Sequence, residues 1–112
     1  MAAFNKVNDF VEYLVEAVNL QSDTFKVALS NTAPTSETNN PVNDNNGKYA
    51  NVSVISNMTN ISDDTLGTVT SEQTGGTYKL SAPDKELAAN GTVGPFQYVY
   101  IYNNTVTDKP IV

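Results

Sequence analysis

Residues 96–102 form the segment that most constrains the fold, because this strand-length run is apolar or aromatic on both faces. In an extended chain Val99 and Ile101 point one way. The aromatic residues point the other way: Phe96, Tyr98, Tyr100 and Tyr102. A strand with two apolar faces lies between two layers. One layer is the core, and the other is either an N-terminal helix or a neighbouring subunit.

Residues 3–18 carry the pattern of an amphipathic helix. Apolar side chains recur every three or four residues, and polar side chains occupy the opposite face. The apolar positions are Phe4, Val7, Val11, Leu14, Val15 and Val18. The sequence therefore predicts a helix at about residues 3–18 that lies on a sheet, and a helix reserved for a partner is the alternative.

After this segment the period of the pattern changes to two. Alternation predicts strands at residues 25–30, 49–56, 66–71, 77–82 and 96–102, and the pair Gly75-Gly76 predicts a hairpin turn. Residues 31–48 are rich in Asn and contain two Pro, which predicts a long surface loop. We expect a single domain, residues 1–112, of the mainly β (α+β) class. Its architecture would be an antiparallel β-sandwich-like or curled sheet with one N-terminal amphipathic helix.

The composition excludes many kinds of chemistry. The 112 residues include no Cys and no His, which removes disulfides, zinc-thiolate sites and the usual general base. Six Lys stand against 12 acidic residues, for a net charge of −6, and this balance disfavours nucleic-acid and anionic-membrane partners. The first residues contain no apolar run typical of a secretory signal. We expect no enzymatic activity, no cofactor, no metal, no nucleic acid and no membrane.

Two short motifs resemble cation-binding sites but do not meet the requirements of such a site. Asp63-Asp64 is an adjacent carboxylate pair, but neighbours on a turn rarely converge, so we interpret it as a capping or turn pair. Residues 43–47 (Asn-Asp-Asn-Asn-Gly) resemble a calcium loop, yet the last ligand position falls on Ser53 instead of Glu. We expect a solvated turn there. The sequence predicts no catalytic residues and no metal ligands.

Several strings of this sequence resemble small structural proteins of tailed bacteriophages. They are Phe4-Asn5-Lys6, residues 22–34 (Ser-Asp-Thr-Phe-Lys-Val-Ala-Leu-Ser-Asn-Thr-Ala-Pro), residues 73–80 (Gln-Thr-Gly-Gly-Thr-Tyr-Lys-Leu) and residues 93–105 from Val-Gly-Pro-Phe-Gln-Tyr onward. The resemblance spans residues 4–112 in order and diverges in the region 35–60. It implies a virion component and, within that class, a capsid decoration (cement) protein that stabilises the head.

The resemblance also implies partners and a location. We expect the major capsid protein or other virion proteins as partners, a homo-oligomer, synthesis in the host cytoplasm and a final place on the capsid surface. The residues expected to form interfaces are Phe96, Tyr98, Tyr100, Tyr102, Ile111 and Val112. The alternative is a tail- or fibre-associated adaptor or host-surface binding module, in which the 31–48 loop contacts the ligand. Copy number per particle separates the two.

One departure from the resembling proteins concerns the C-terminal residues. Those proteins continue into a further strand, whereas this sequence stops at Ile111-Val112. We therefore expect residues 108–112 to be held by a neighbouring subunit or to lie at an unpaired sheet edge.

Overall fold

Alternating apolar residues form the first strand, β1 (Phe25–Ser30), at the centre of the main sheet. The computed structural model describes residues 10, 14, 17–33, 48–107 and 109–112. β1 pairs antiparallel with β4 (Tyr98–Asn103), in a register that sets Phe25 opposite Asn103. A second sheet consists of β2 (Thr70–Thr74) and β3 (Thr77–Ser81), also antiparallel. The described chain is thus mainly β, with two small antiparallel sheets.

Irregular segments extend the main sheet beyond both of its strands. Along the free side of β1, the N–H of Val27 donates to Asp64 O (2.8 Å) and the N–H of Ile55 donates to Leu29 O (2.9 Å). Beyond β4, the C-terminal residues pair with it through an isolated bridge between Tyr102 and Ile111. β1 therefore has backbone partners on both edges, which is why five of its six residues are buried.

The core lies on one face of the main sheet. It is a cluster of buried aliphatic side chains, surrounded by partly buried Met58, Leu66, Leu87 and Val93. The cluster consists of Val27, Leu29, Ile55 and Ile61. A 3₁₀ turn at Met58–Asn60 brings Ile61 inward, and Ile61 then forms a bridge with Ala89. β1 supplies two of the four core residues, whereas β4 supplies none.

Four of the five predicted strands correspond to strands of the structure, and the fifth does not. β1 has the predicted limits, and β2 and β3 form the predicted hairpin around Gly75-Gly76, although β2 begins at Thr70 and not at residue 66. β4 corresponds to the strand predicted at residues 96–102, shifted to Tyr98–Asn103. The strand predicted at residues 49–56 is wrong. Tyr49–Asn51 is a 3₁₀ turn, closed by the N–H of Val52 on Tyr49 O. Of this segment only Val54 and Ile55 meet the backbone of β1, through an isolated bridge with Ser30 and a hydrogen bond to Leu29 O. The bond from Tyr49 N–H to Lys109 O (2.9 Å) ties the start of this segment to the C-terminal residues instead.

Two other predictions fall largely on residues that the structure does not describe. Within the helix predicted at residues 3–18, Phe10 and Leu14 have helical backbone, and the remaining positions up to residue 16 lie outside the described residues. Ala17 and Val18 are described and are not helical, so the predicted end at residue 18 is wrong. Residues 34–47 of the predicted 31–48 loop also lie outside them, including the calcium-like stretch at 43–47. No described helix is long and apolar enough to cross a membrane.

Candidate interaction surface

The aromatic row that leads into and runs along β4 is buried progressively from its start to its end. Phe96, just before the strand, is 45% exposed, Tyr98 and Tyr100 are half-buried, and Tyr102 is 5% exposed. The Tyr100 hydroxyl donates to Thr32 O (2.8 Å), which ties that ring to the residues after β1. Within this chain the row is thus buried at Tyr102, half-buried at Tyr98 and Tyr100, and exposed at Phe96.

Tyr102 is covered by a residue that the sequence pattern did not indicate. The Tyr49 ring stacks on it, with ring centroids 4.1 Å apart and planes 20° from parallel. Burial, with smaller contributions from Tyr49 and the Asp64 carboxylate, raises the pKa of Tyr102 to about 12. The Lys109 ammonium lies 6.0 Å from the centre of the Tyr49 ring, on the edge of cation–π range. Tyr102 therefore belongs to the interior of this chain.

The C-terminal residues are paired within the chain, which corrects the expectation of an unpaired or partner-held segment. The N–H of Asn103 donates to Pro110 O (2.8 Å), and the N–H of Val112 donates to Ile101 O (2.8 Å). Ile111 is buried and Val112 is half-buried. The physical reason is that the short turn after β4 lets the chain reverse and cover the outer edge of its own strand.

The Asn103 side chain holds the turn after β4 in place through hydrogen bonds. It is fully buried, and its side-chain oxygen accepts hydrogen bonds from the N–H groups of Thr105 (2.8 Å) and Val106 (3.1 Å). Its amide group donates to the Asp23 carboxylate (2.6 Å), which also accepts the N–H of Asn19 (2.8 Å). A single buried amide thus joins the turn after β4 to the segment before β1.

The opposite face of β4 is exposed, although the sequence pattern predicted a buried layer there. Val99 is 57% exposed and Ile101 is 36% exposed. Their cross-strand partners Leu29 and Val27 are buried on the same face. The core cluster sits over the β1 half of this face, so the β4 half retains open apolar side chains. Alternation indicates which residues share a face, but not how far the covering layer reaches.

The β2–β3 hairpin is the second exposed region. Of its strand residues only Ser71, Leu80 and Ser81 are partly buried, and Tyr78 is 50% exposed. The Tyr78 and Ser71 hydroxyls form a hydrogen bond of 2.9 Å on the same face as Leu80. The other face carries the opposed charges of Glu72 and Lys79. Both faces of the hairpin can therefore meet another molecule.

The carboxylate pair Asp63-Asp64 behaves as a turn pair, in agreement with the interpretation from sequence. Asp63 accepts the N–H of Thr65 (3.0 Å) and pairs with the Lys85 ammonium (2.9 Å), whereas Asp64 pairs with Lys26 at 3.4 Å. The hydrogen bond from Lys85, and then that from Thr65, lower the pKa of Asp63. Each carboxylate is engaged by a different lysine. Among the described residues, no group of three or more potential ligands could hold a metal ion.

No protein family, curated protein or solved structure matches this chain.

Proposed function

We propose that this protein is a non-enzymatic structural component of a tailed-bacteriophage virion. In this proposal it is a capsid decoration (cement) protein that binds the major capsid protein on the outside of the head in many copies. It clamps neighbouring capsomers through shape and buried area, without a reaction and without a cofactor.

One observation carries the proposal: the strings that resemble phage structural proteins coincide with the β framework. Residues 22–33 contain β1, residues 73–80 contain the hairpin turn, and residues 93–105 contain β4. The resemblance therefore falls on the residues that build both sheets, including the buried Asn103. A likeness confined to one loop would support a shared motif, whereas a likeness on these strands supports a shared fold and role.

The amphipathic pattern supports a finer picture of the fold. We propose that residues 3–16 form a helix against an antiparallel, sandwich-like or curled sheet. Ala28, Ser30 and Tyr102 share the sheet face opposite the core, and all three are buried. Phe10 is also buried and helical, whereas Leu14, on the predicted apolar stripe, is 39% exposed. A helix over that face would supply the second layer that its buried residues require.

The hairpin is the contact surface that we assign to the capsid partner. Its strand residues are mostly exposed, and Tyr78 supplies a ring with a polar tip, a residue type enriched at interfaces. A two-stranded hairpin is marginally stable alone in water. Packing against a capsid surface would stabilise it further.

Copy number in purified particles tests the assignment. Quantitative mass spectrometry or gel densitometry of virions from the phage that encodes this chain should find hundreds of copies per particle. About a dozen copies or fewer would overturn the decoration assignment and favour the tail or fibre adaptor. Absence from the particle would overturn both.

A pair of variants tests the contact surface. Particles that lack the protein are mixed with purified Tyr78→Ala or Lys79→Ala, which change neighbouring residues on opposite faces of β3. We expect Tyr78→Ala to bind at least about tenfold more weakly, and Lys79→Ala to bind within about twofold of the unaltered protein. Equal binding by both variants would place the contact elsewhere.

A further inference from the structure

The exposed bend at Asn90 and Gly91 places a free side-chain amide next to a free backbone N–H. The start of the bend is held, because the N–H of Asn90 donates to Asn60 O (2.8 Å). Beyond that bond, neither the Asn90 amide group nor the Gly91 N–H has a hydrogen-bond partner within the described part of the chain. The amide carbon of Asn90 and the backbone nitrogen of Gly91 are therefore both accessible.

The other asparagines of the described ranges lack this combination. Side-chain hydrogen bonds hold Asn19, Asn31, Asn57, Asn60 and Asn103. For two more, the backbone N–H that follows the asparagine is engaged instead. The N–H after Asn51 donates to Tyr49 O (2.9 Å). The N–H after Asn104 donates to the Asn103 side chain (2.8 Å). The structure thus distinguishes Asn90 from every other asparagine that it describes.

The residue after Asn90 is glycine, which favours reaction between these two groups. Without a Cβ, the nitrogen of Gly91 is open to approach by the neighbouring side chain, and its backbone rotates more freely than that of any other residue. A Cβ at this position would lie 2.9 Å from Asn60 Nδ2 and would displace that side chain. The local packing therefore accommodates glycine, the residue that hinders the approach least.

We propose that Asn90 is a site of spontaneous deamidation, a modification that the chain undergoes without an enzyme. The Gly91 nitrogen loses its proton to hydroxide and attacks Asn90 Cγ. The new N–Cγ bond closes a succinimide ring, the Cγ–Nδ2 bond breaks, and the amide nitrogen takes up a proton and leaves as ammonia. Water then adds to one of the two ring carbonyls and opens the ring to an aspartate or an isoaspartate. The inference goes beyond the proposed function, because it involves neither a partner nor a virion.

The modification would change a segment that is tied to the core on both sides of the bend. Before it, Ala89 pairs with Ile61 of the core cluster. After it, Thr92 O accepts a hydrogen bond from the Asn60 side chain (2.7 Å). Both products add a negative charge to a chain whose net charge is already −6. Isoaspartate also inserts a side-chain carbon into the main chain between the two ties, so we expect it to weaken the bond to Thr92.

Peptide mapping of the full chain tests the proposal. The folded protein is incubated at pH 8.5, digested with trypsin and analysed by fragmentation mass spectrometry, with an unincubated sample to correct for conversion during digestion. Trypsin leaves Asn90 in the peptide 86–112 and separates it from the other Asn-Gly pair, Asn46-Gly47. We expect conversion at Asn90 at least about tenfold faster than at Asn104 of the same peptide. An isoaspartate-specific methyltransferase should label the product. Equal rates at the two positions would overturn the proposal.

A comparison with the unfolded chain separates the effect of the fold from that of the dipeptide. Because the bend is open, conversion at Asn90 in the folded protein should lie within about tenfold of its rate in urea. Conversion in urea alone would overturn the proposal.

Matched variants identify the reacting groups. Gly91→Ala adds a Cβ beside the nucleophile and should slow conversion at least about tenfold, whereas Thr92→Ala keeps the carbonyl that Asn60 contacts and should change the rate by less than about twofold. Circular dichroism checks that each variant folds. If Gly91→Ala does not fold, Asn90→Gln decides, because its longer side chain no longer closes a succinimide. Methyltransferase labelling of the peptide 86–112 that persists in Asn90→Gln would overturn the proposal.

Discussion

The main sheet and the β2–β3 hairpin are both antiparallel, but they differ in the sequence separation of their strands and in burial. The main sheet joins Phe25 to Asn103, residues from opposite ends of the described chain, and buries nearly all of β1. The hairpin joins Thr74 to Thr77 across two glycines and remains mostly exposed. Backbone pairing is thus present in both regions, but only one of them carries a core.

The difference indicates where the stability of the molecule resides. Burial of apolar area dominates the favourable free energy of folding, and the core cluster contacts β1 rather than the hairpin. Closing the long loop between β1 and β4 costs conformational entropy that this burial offsets. The hairpin closes its turn at little entropic cost and relies on local pairing. We expect the main sheet to unfold as a unit and the hairpin to open on its own at lower free energy.

The sharpest test makes the same substitution in both regions. Leu29→Ala, at a core residue that is 1% exposed, should lower the free energy of unfolding by about 2–5 kcal/mol. Leu80→Ala, at a half-buried residue of the hairpin, should lower it by about 1 kcal/mol or less. Urea unfolding followed by tyrosine fluorescence measures both. Equal losses would show that the hairpin belongs to the core.

A buried polar group should matter more than an apolar surface contact of similar size. Asn103→Ala removes three side-chain hydrogen bonds and leaves the N–H groups of Thr105 and Val106 without their acceptor. We expect a loss of about 2–3 kcal/mol in unfolding free energy. The control is Asn104→Ala, since Asn104 bonds to Thr24 O through its backbone N–H (2.8 Å). A comparable loss in the control would contradict a specific role for the Asn103 amide.

Because Tyr102 is buried, its ionisation should lower the stability of the main sheet at alkaline pH. Its pKa is raised to about 12 in the folded chain, whereas an unfolded tyrosine ionises near 10. Above pH 10 the unfolded state therefore releases this proton first, and stability falls as pH rises toward 12. The expected loss is about 2 kcal/mol by pH 12.

Unfolding curves at pH 9 and pH 11.5 measure this loss. Tyr102→Phe should be less stable than the unaltered protein by a smaller margin at the higher pH. Tyr98→Phe, at a half-buried position of the same strand, is the control. An identical pH dependence in the unaltered protein and in Tyr102→Phe would contradict the assignment.

The elements that the sequence predicted well have local signals. Alternation around Val27 and Leu29 identified β1, and Gly75-Gly76 identified the hairpin turn, because neighbouring residues carry both signals. The turn at Tyr49–Asn51 was missed because its cause is distant. The Tyr49 ring stacks on Tyr102, and the Tyr49 N–H donates to Lys109 O. Neither contact can be predicted from the sequence pattern of residues 49–56.

The candidate site was only partly predictable for the same reason. The aromatic and β-branched residues of β4 indicated a segment with unusual contacts, but alternation does not tell how far each face is covered. Tyr102 and Ile111 were expected at an interface and are buried within the chain, whereas Val99 was expected in a layer and is the most exposed of the large apolar residues described. Which strand edge remains open depends on where the C-terminal pairing stops, and that is a tertiary property.

The smallest expected effect concerns the hairpin turn and separates local from global opening. Gly75 and Gly76 have φ of +57° and +83°, and a Cβ at either position would meet no atom within 4 Å. Gly76→Ala therefore adds backbone strain without a clash, at a cost of about 1 kcal/mol. Because the hairpin opens independently in our account, hydrogen exchange of β2 and β3 amides should become about five times faster. Exchange of β1 and β4 amides should not change. Thr77→Ala, a substitution to the same residue beside the turn, is the control for Gly76→Ala. A matching acceleration in β1 would mean that both sheets open together, and would remove the contrast between them.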